Sequence, residues 1–537
     1  MRSLVSGSRM KEIDRRTIVD YGIPSIVLME RAALAAADEV ERMLAAKAPG
    51  HGKADPAGNP RDSVLAVCGF GNNGADGIAA ARILFLRGFA VTILLPNEGG
   101  RRTPEFELQL SIVNRLGIPV HSASDFIPGR CSLIIDALFG VGLSRPLAGG
   151  YLELASRINE MGAPVLSVDM PSGISSDTGA VMGAAVRADA TVTFGEKKLG
   201  QALYPGREFC GRLRIVDIGL VSNPGLVPNP GLTPDPGAVL DTGGTGKPSA
   251  FALEPSDLLR IPKRERNSNK GTFGKVLVAA GSEGMAGAAF FSALAAYRCG
   301  AGLVKILTEE SNRLILQERL PEAILALYDG TEAKADPARF ENTVKEQAAW
   351  ADVIVLGPGI GQGETAKVMV ETILSESYVP VILDADALNL LAADPKLKEY
   401  LTENMILTPH MMEMSRFTGK TIKELKADPV SAAREVSAQY GAACVLKDAA
   451  TVTAFRDGTV FVNESGTPAM AKGGSGDVLT GVIAGLIALG MEEGAAAAFG
   501  VYIHGLAGEA AERRYGVHSV LARELADSLS EVMRREN

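Results

Sequence analysis

From Ser222 to Pro255 the chain reads SNPGLVPNPGLTPDPGAVLDTGGTGKPSAFALEP. Proline fixes φ and removes backbone donors, and glycine disfavours regular structure, so neither helix nor sheet can run through this stretch. The near-repeat Asn-Pro-Gly, Asn-Pro-Gly, Asp-Pro-Gly predicts an extended linker over 221–255. It divides the 537 residues into 1–220 and 256–537, each long enough to bury a core of its own. Within it, Gly243-Gly244-Thr245-Gly246-Lys247 has the look of a phosphate loop. Pro248 follows where a magnesium-binding Ser or Thr is needed, so that reading fails.

On both sides of the linker, short apolar runs alternate with amphipathic segments. In the first half, 63–68, 90–95, 132–136, 164–169, 190–194 and 213–218 read as strands, and 26–45 and 76–88 as helices. In the second half, strands are predicted at 275–280, 303–307, 352–356, 379–384 and 405–408. Helices are predicted there at 285–298, 430–440 and 476–490. Val/Ile/Leu-rich strands separated by helices imply mainly parallel sheets covered on both faces. The expected fold class is therefore α/β, two doubly wound domains, the N-terminal one Rossmann-like. Ligands on such sheets sit at the carboxyl ends of the strands.

Composition narrows the function classes. The net charge is −9, which disfavours general nucleic-acid binding. The apolar run from Val478 to Met491 is too short to span a bilayer, which takes ~20 residues. Met1 leads into Lys11-Glu12 without an apolar stretch, so no signal peptide and a cytoplasmic location are expected. Five scattered cysteines without a C-x-x-C pair argue against disulfides and a zinc cage.

Gly69-Phe70-Gly71-Asn72-Asn73-Gly74 matches G-x-G-x-x-G between a strand and a helix, a place for a pyrophosphate. A lone match is weak evidence. The polar Asn72, Asn73 and Asp76 suit a small cation or a polar ligand instead, or simply an Asn-rich turn. Two further strands end in acid, at Asp136 and at Asp169, the latter followed by Met170-Pro171-Ser172-Gly173. Oxygen ligands without His or Cys suit a hard, weakly charged cation. In order and spacing, Met10–Asp14, Leu28–Ala32, Gly69–Gly77, Asp136–Leu143, Val168–Gly173 and Thr193–Gly195 resemble the NAD(P)H-hydrate epimerase family. The resemblance implies potassium on Asn73, Asp136 and Ser172. It implies substrate contacts from Asn72, Asn73, Gly74, Ala75 and Asp76, from Gly140, Val141, Gly142, Leu143, Ser144, Arg145 and Pro146, and from Asp169. Ala75 stands where the family usually has Gly, and its methyl is expected to crowd the loop. Asp169 is the only titratable group the sequence places at the reacting oxygen, and it is assigned acid–base catalysis; the plainer reading is that it caps the Ser172-Gly173 turn.

In the second half, Lys472-Gly473-Gly474-Ser475-Gly476-Asp477 opens a helix. Gly473, Gly474 and Gly476 predict an anion nest at its positive end. Asp477 inside that nest is expected to stay ionised and accept a proton from a hydroxyl being phosphorylated. The plainer reading is an N-cap. With Asn269–Gly274, Gly357–Gly361, Asp384–Asn389, Leu407–His410 and Val445–Lys447, this resembles the ribokinase-like ADP- or ATP-dependent NAD(P)H-hydrate dehydratase family. The resemblance assigns nucleotide contacts to Lys447, Asp448, Ala449, Ala450, Thr451 and Gly476. It assigns hydrate contacts to Ala288, Gly359, Gly361, His410 and Asp477. Asn269, Met411-Met412 and Asp448 depart from the family's usual His, Pro-Gly and Gly.

Together the resemblances imply repair of hydrated NADH and NADPH: epimerisation of the R and S forms, with potassium, and dehydration of the S form, with ADP or ATP and magnesium. No nucleic acid or membrane partner is expected, and a homo-oligomer is. A ribokinase-like small-molecule kinase with a non-catalytic N-terminal binding domain is the alternative, and it would release a phosphorylated product. A non-enzymatic scaffold and a nicotinamide dehydrogenase fit less of the chain.

Overall fold

The computed structural model describes residues 1–47, 62–97, 100–124, 130–222 and 250–534. The chain divides into two compact units, Ser3–Asp235 and Pro236–Asn537, with Met1–Arg2 counted in the second. Residues 223–249, including the phosphate-loop look-alike at 243–248, lie outside the described residues.

The first unit is built on a seven-stranded sheet. Its order is Val120–Ser122, Ala90–Leu95, Ser63–Cys68, Leu133–Ala137, Val165–Val168, Ala190–Phe194, Arg212–Val216. Every neighbouring pair is parallel. The strands are apolar throughout because both faces are covered. Val64, Ala66 and Cys68 pack with Ser25–Lys47 and Asn72–Leu86 on one side. Leu65 and Val67 pack with Gly149–Glu160 on the other. The chain leaves Ser63–Cys68 in one direction and returns to its other side as Leu133–Ala137. This reversal opens a crevice between their carboxyl ends.

The second unit repeats the plan. Its strands lie in the order Ile324–Tyr328, Leu303–Glu309, Lys275–Ala279, Val353–Leu356, Val381–Leu383, Met405–Leu407, Ala443–Leu446. These are parallel. Val452–Ala454 and Val460–Val462 then add antiparallel strands. The reversal here falls between Lys275–Ala279 and Val353–Leu356. Helix Ser475–Ala488 lies close on Ala286–Arg298: a Cβ at Gly481 would stand 2.1 Å from the Ser292 carbonyl oxygen. Glycine there lets the two backbones approach.

Two features correct the sequence reading. Ala250–Ala252, assigned to the linker, is a strand paired in parallel with Val460–Val462. Its Ala-Phe-Ala core, with both alanines buried, is apolar enough to join the sheet where the Pro/Gly composition ends. The helix Glu493–Tyr515 was not predicted, because it is buried on nearly every side and shows no polar stripe. Residues 1–222 and 250–537, expressed separately, should each melt in one cooperative transition. Aggregation of both fragments would contradict two self-sufficient cores.

Candidate functional site

The first site opens at the crevice of the N-terminal sheet, as a cavity of about 580 Å³ lined by Asn72, Asn73, Asp76, Gly140, Val141, Gly142 and Asp169. Asn72 and Asn73 start the helix after Ser63–Cys68. The turn that aims them needs glycine at position 74, where a Cβ would meet the Gly69 carbonyl oxygen. Gly74 and Ala75 are buried behind the cavity wall. The Ala75 methyl joins the apolar core, so the expected crowding does not occur. Ser144, Arg145 and Pro146 are exposed, and with Leu143 they stand outside the cavity lining.

Asp169 sits at φ 66°, a left-handed conformation that a non-glycine residue adopts at a cost of ~1–3 kcal/mol. The turn is held by the Asp169 N–H donating to Val192 O (2.7 Å) and by Gln201 Nε2 donating to Asp169 O (2.7 Å). Its Oδ1 accepts from Lys198 Nζ at 2.5 Å and from Thr193 Oγ1 at 3.1 Å. Lys198 is 1% exposed and spends its other protons on Thr193 Oγ1 (2.7 Å) and Phe194 O (3.0 Å). Asp169 Oδ2 lies against Gly140. Asp169 does not cap the following turn, because the Ser172 N–H donates to Asp136 instead.

Asp136 and Ser172 meet directly, Ser172 Oγ donating to Asp136 Oδ1 at 2.6 Å. Ser167 Oγ (2.7 Å) and the Ser172 and Leu138 N–H groups complete the carboxylate's partners, all neutral. Burial pushes its pKa up in spite of these bonds. A fully buried carboxylate with only neutral donors, beside Ser172 Oγ and Phe139 O, is an oxygen-rich place that a monovalent cation fits. Asn73 is satisfied when its amide nitrogen donates to Val168 O (3.1 Å) and its oxygen accepts from Gly140 N–H (3.3 Å).

Sequence reasoning gave proton transfer to Asp169 and substrate contact to Asp76, and the structure adds Asp14 and Lys198 beside them. Asp14, Asp76 and Lys198 line the same cavity as Asp169. Asp76 is held well above the usual carboxylate range by burial, then by the charges of Asp169 and Asp14. Asp14 is pushed up to about 6 by burial and Asp169, with Lys198 pulling the other way. Asp14 lay in the quoted Met10–Asp14 segment, but nothing in the spacing says that this helix reaches a sheet edge.

The second site lies at the start of Ser475–Ala488. Of its three glycines, only Gly474 needs its conformation, at φ 90° as the N-cap. A Cβ on Gly476 would sit 3.4 Å from Lys447 Nζ and 3.6 Å from Asp384 Oδ2, so these groups converge on the helix end. Lys447, read as a nucleotide contact, donates to Asp384 Oδ1 at 2.5 Å. Asp384 also accepts from Thr408 Oγ1 (2.9 Å), and Ala385 beside it sits at φ 48°. Asp477 titrates closer to neutrality than a free carboxyl group, yet is mostly ionised at pH 7. Burial, then the Asp384 charge, pushes it up to about 6 against Lys447.

Around this centre, Ala288 and Gly359 come together: a Cβ on Gly359 would stand 3.1 Å from that of Ala288. Gly361 N–H donates to Asp386 Oδ2 (2.9 Å). His410 is half exposed and caps Met411–Thr418, its Nδ1 accepting from the Met412 and Glu413 N–H groups (3.1 Å each). Met411-Met412 thus begins a helix, and Asn269 similarly caps Lys270–Phe273. Asp448 and Ala449 are exposed, Ala450 and Thr451 are buried, and Asp448 lies 3.8 Å from Lys426. Gly473 is exposed. His504, missed in sequence because it lies in the Ala-rich helix, is held near 4 by burial and so stays neutral. Its Nε2 contacts Ser475 O (2.9 Å) under the glycine turn.

A fusion of two doubly wound units, one with an ion-paired acid in an open cavity and one with an acid at a glycine-turned helix start, defines a bifunctional nucleotide-processing enzyme. Comparison with known proteins gives the particular family. Residues 276–531 match the family described as NAD(P)H-hydrate dehydratase, and residues 25–200 that described as YjeF-related protein N-terminus. The bifunctional NAD(P)H-hydrate repair enzyme Nnr of Moorella thermoacetica is 34% identical over 99% of this chain and 96% of its own. That of Escherichia coli is 33% identical over 88% and 85%. A solved ADP/ATP-dependent NAD(P)H-hydrate dehydratase from Bacillus subtilis, co-crystallised with ATP/Mg2+, is 33% identical. It covers 52% of this chain and 96% of that one, with a TM-score of 0.44. The chain belongs to the bifunctional NAD(P)H-hydrate repair enzyme family.

Removing the ammonium tests the first site. Lys198→Met leaves Asp169 buried without its cation, which should destabilise the first unit by ~3–5 kcal/mol. Thermal melting of the 1–222 fragment checks this, and an unchanged midpoint would contradict the buried ion pair.

Proposed function

We propose that the chain repairs hydrated NADH and NADPH. The N-terminal unit interconverts the R and S hydrates, and the C-terminal unit dehydrates the S form with ADP or ATP. The observation that carries the reading is Asp477, an acid pushed up to about 6 in the first turn of a helix whose N-terminal N–H groups would attract an anion. Asp477 takes the proton of the ring hydroxyl while the hydroxyl oxygen bonds the terminal phosphorus of the nucleotide, whose bond to the bridging oxygen breaks and releases AMP from ADP or ADP from ATP. Phosphate then leaves with the C–O electron pair, displaced by the ring nitrogen's lone pair. Loss of a proton from the neighbouring carbon restores the ring double bond. Magnesium, when bound with the nucleotide, offsets the phosphate charge. Positioning and charge stabilisation supply most of the rate. Lys447 keeps Asp384 paired, so that one free carboxylate faces the hydroxyl.

In the first unit Asp169 handles protons at the ring oxygen, in a cavity large enough for the hydrated ring and part of the dinucleotide. Asn73, Asp136 and Ser172 would hold potassium, which anchors substrate charge beside Asp169. Asn72, Asp76 and the Gly140–Gly142 loop frame the substrate. We further place the protein in a reducing cytoplasm as a homo-oligomer without nucleic-acid or membrane partners. The five cysteines are free, all but Cys131 are buried, and no described helix is long and apolar enough to cross a membrane.

Mixed R/S hydrate with ADP or ATP should be converted fully to NAD(P)H, followed by absorbance. Accumulation of a stable phosphorylated hydrate would instead favour a kinase. Asp477→Asn should lower dehydration by ~100-fold or more and leave epimerisation intact. Because the base acts when deprotonated, the wild-type dehydration rate should fall tenfold per unit as pH drops below about 6. A flat profile there would remove Asp477 from the role. Lithium in place of potassium should slow epimerisation alone, and equal rates in both salts would defeat the cation assignment.

A further inference from the structure

Epimerisation at a carbon that bears a hydroxyl needs one group to give a proton at oxygen and another to take one. Asp169 is suited to only half of this task. Its Oδ1 is occupied by Lys198 and Thr193, and its Oδ2 lies beside Gly140, which lines the cavity. Lys198 has no proton to offer, since its three donors go to Asp169, Thr193 and Phe194. An ion-paired carboxylate is a base, so the acid must come from elsewhere.

Asp14 belongs to a different element, the helix Gly7–Arg15, and lines the same cavity. Among the described residues nothing hydrogen-bonds to its carboxyl, which is half buried. The charged groups around it are Asp169 after the strand Val165–Val168, Asp76 on the helix Asn72–Leu86, and Lys198 at the end of Lys197–Lys198. Lys11 on its own helix and Arg101 and Glu105 also reach the cavity wall, Glu105 being bonded to Ser25 Oγ at 2.7 Å. Three carboxyl groups therefore share the neighbourhood of one buried ammonium. They cannot all ionise at once.

We propose that Asp14 is a second catalytic residue of the epimerase site, the acid that works with Asp169 as base. The inference rests on the epimerase reading given above. Asp14 hands its proton to the ring hydroxyl, and the C–O bond breaks with both electrons on oxygen, so water leaves. The ring nitrogen's lone pair forms the second bond to that carbon. Water then adds to the opposite face, and Asp169 Oδ2 takes the proton it releases. Asp14 ends as carboxylate and Asp169 as acid, and solvent exchange resets both. The reverse direction uses them with the roles exchanged.

The test follows epimerisation of R hydrate with the dehydratase unit in excess, after subtraction of the uncatalysed rate. In wild type, kcat/KM for epimerisation should fall tenfold per unit as pH rises above about 6, where Asp14 loses its proton. Asp14→Asn should lower the rate by ~100-fold and abolish that dependence, while dehydration of pure S hydrate is unchanged. Asp14→Glu, which keeps the acid, should retain the falling limb with part of the rate. A wild-type rate in Asp14→Asn, or a lowered rate with the wild-type limb intact, overturns the proposal. If Asp14→Asn does not fold, a wild-type profile flat between pH 6 and 8 overturns it equally. A wild type that epimerises at no pH refutes the epimerase reading itself. An active wild type indifferent to Asp14 refutes only the role of this residue.

Discussion

A lysine ammonium holds a strand-end aspartate in each half of the chain. Lys198 lies 2.5 Å from Asp169, and Lys447 lies 2.5 Å from Asp384. A parallel sheet delivers its strand ends to one edge, and an acid placed there for chemistry is also partly buried. Burying such a charge unpaired costs several kcal/mol, and breaking a buried pair is more damaging than never having made one. The ammonium is what lets each acid occupy the sheet edge at all. Each pair is also accompanied by a non-glycine residue at positive φ, Asp169 itself at 66° and Ala385 next to Asp384 at 48°. The turn that aims the carboxylate is strained, and the ion pair with its surrounding hydrogen bonds keeps it in place.

Once one acid is neutralised, its neighbours titrate differently. Asp169 and Asp384 are tied to lysines, and the acids beside them, Asp14 and Asp477, are both pushed up to about 6. Burial is the larger cause in both cases and the paired aspartate's charge the second, with the lysine opposing. Each site thus holds one carboxyl group paired with a lysine and one whose pKa is pushed up to about 6. This is the division that proton transfer requires. His504 shows the opposite response to the same conditions: burial keeps it neutral, so it can brace the Gly474 turn without adding charge to the nest.

How much of this could be read from the sequence depended on whether the signal was local. The strands 63–68, 90–95 and 190–194 coincide with those observed, because a strand buried on both faces is a continuous apolar run bounded by polar turns. The crevice was also legible, since Asn72–Asp76, Asp136 and Asp169 each follow such a run. Lys198 was not: it lies on a two-residue strand in a segment that looks like an ordinary charged loop, Glu196-Lys197-Lys198, and only the fold buries it. Lys447 was found as a nucleotide contact, but its pair with Asp384 was not, because sequence shows that a lysine is present without showing which acid lies across the sheet. The helix Glu493–Tyr515 escaped because periodicity reports only half-buried helices. Ser144–Pro146 lies outside the cavity lining, since a loop can begin in a cavity at Gly140 and leave it within a few residues.

The two acids proposed for proton transfer impose opposite demands. If Asp14 works protonated and Asp477 works deprotonated, both titrating near 6, the epimerase half is favoured below that pH and the dehydratase half above it. An epimerase moves R and S hydrates only toward their equilibrium, so net repair comes from the nucleotide-driven step. Above neutrality the flux from an R/S mixture is then governed by how fast the R form is supplied, and below about 6 by how fast the S form is consumed. Either half alone would lose an order of magnitude within one pH unit on its unfavourable side. The combined enzyme works best where the two limbs cross, and that crossing is set by a shared arrangement: a strand-end aspartate bound to a lysine, next to a second carboxyl group that burial keeps within reach of its proton.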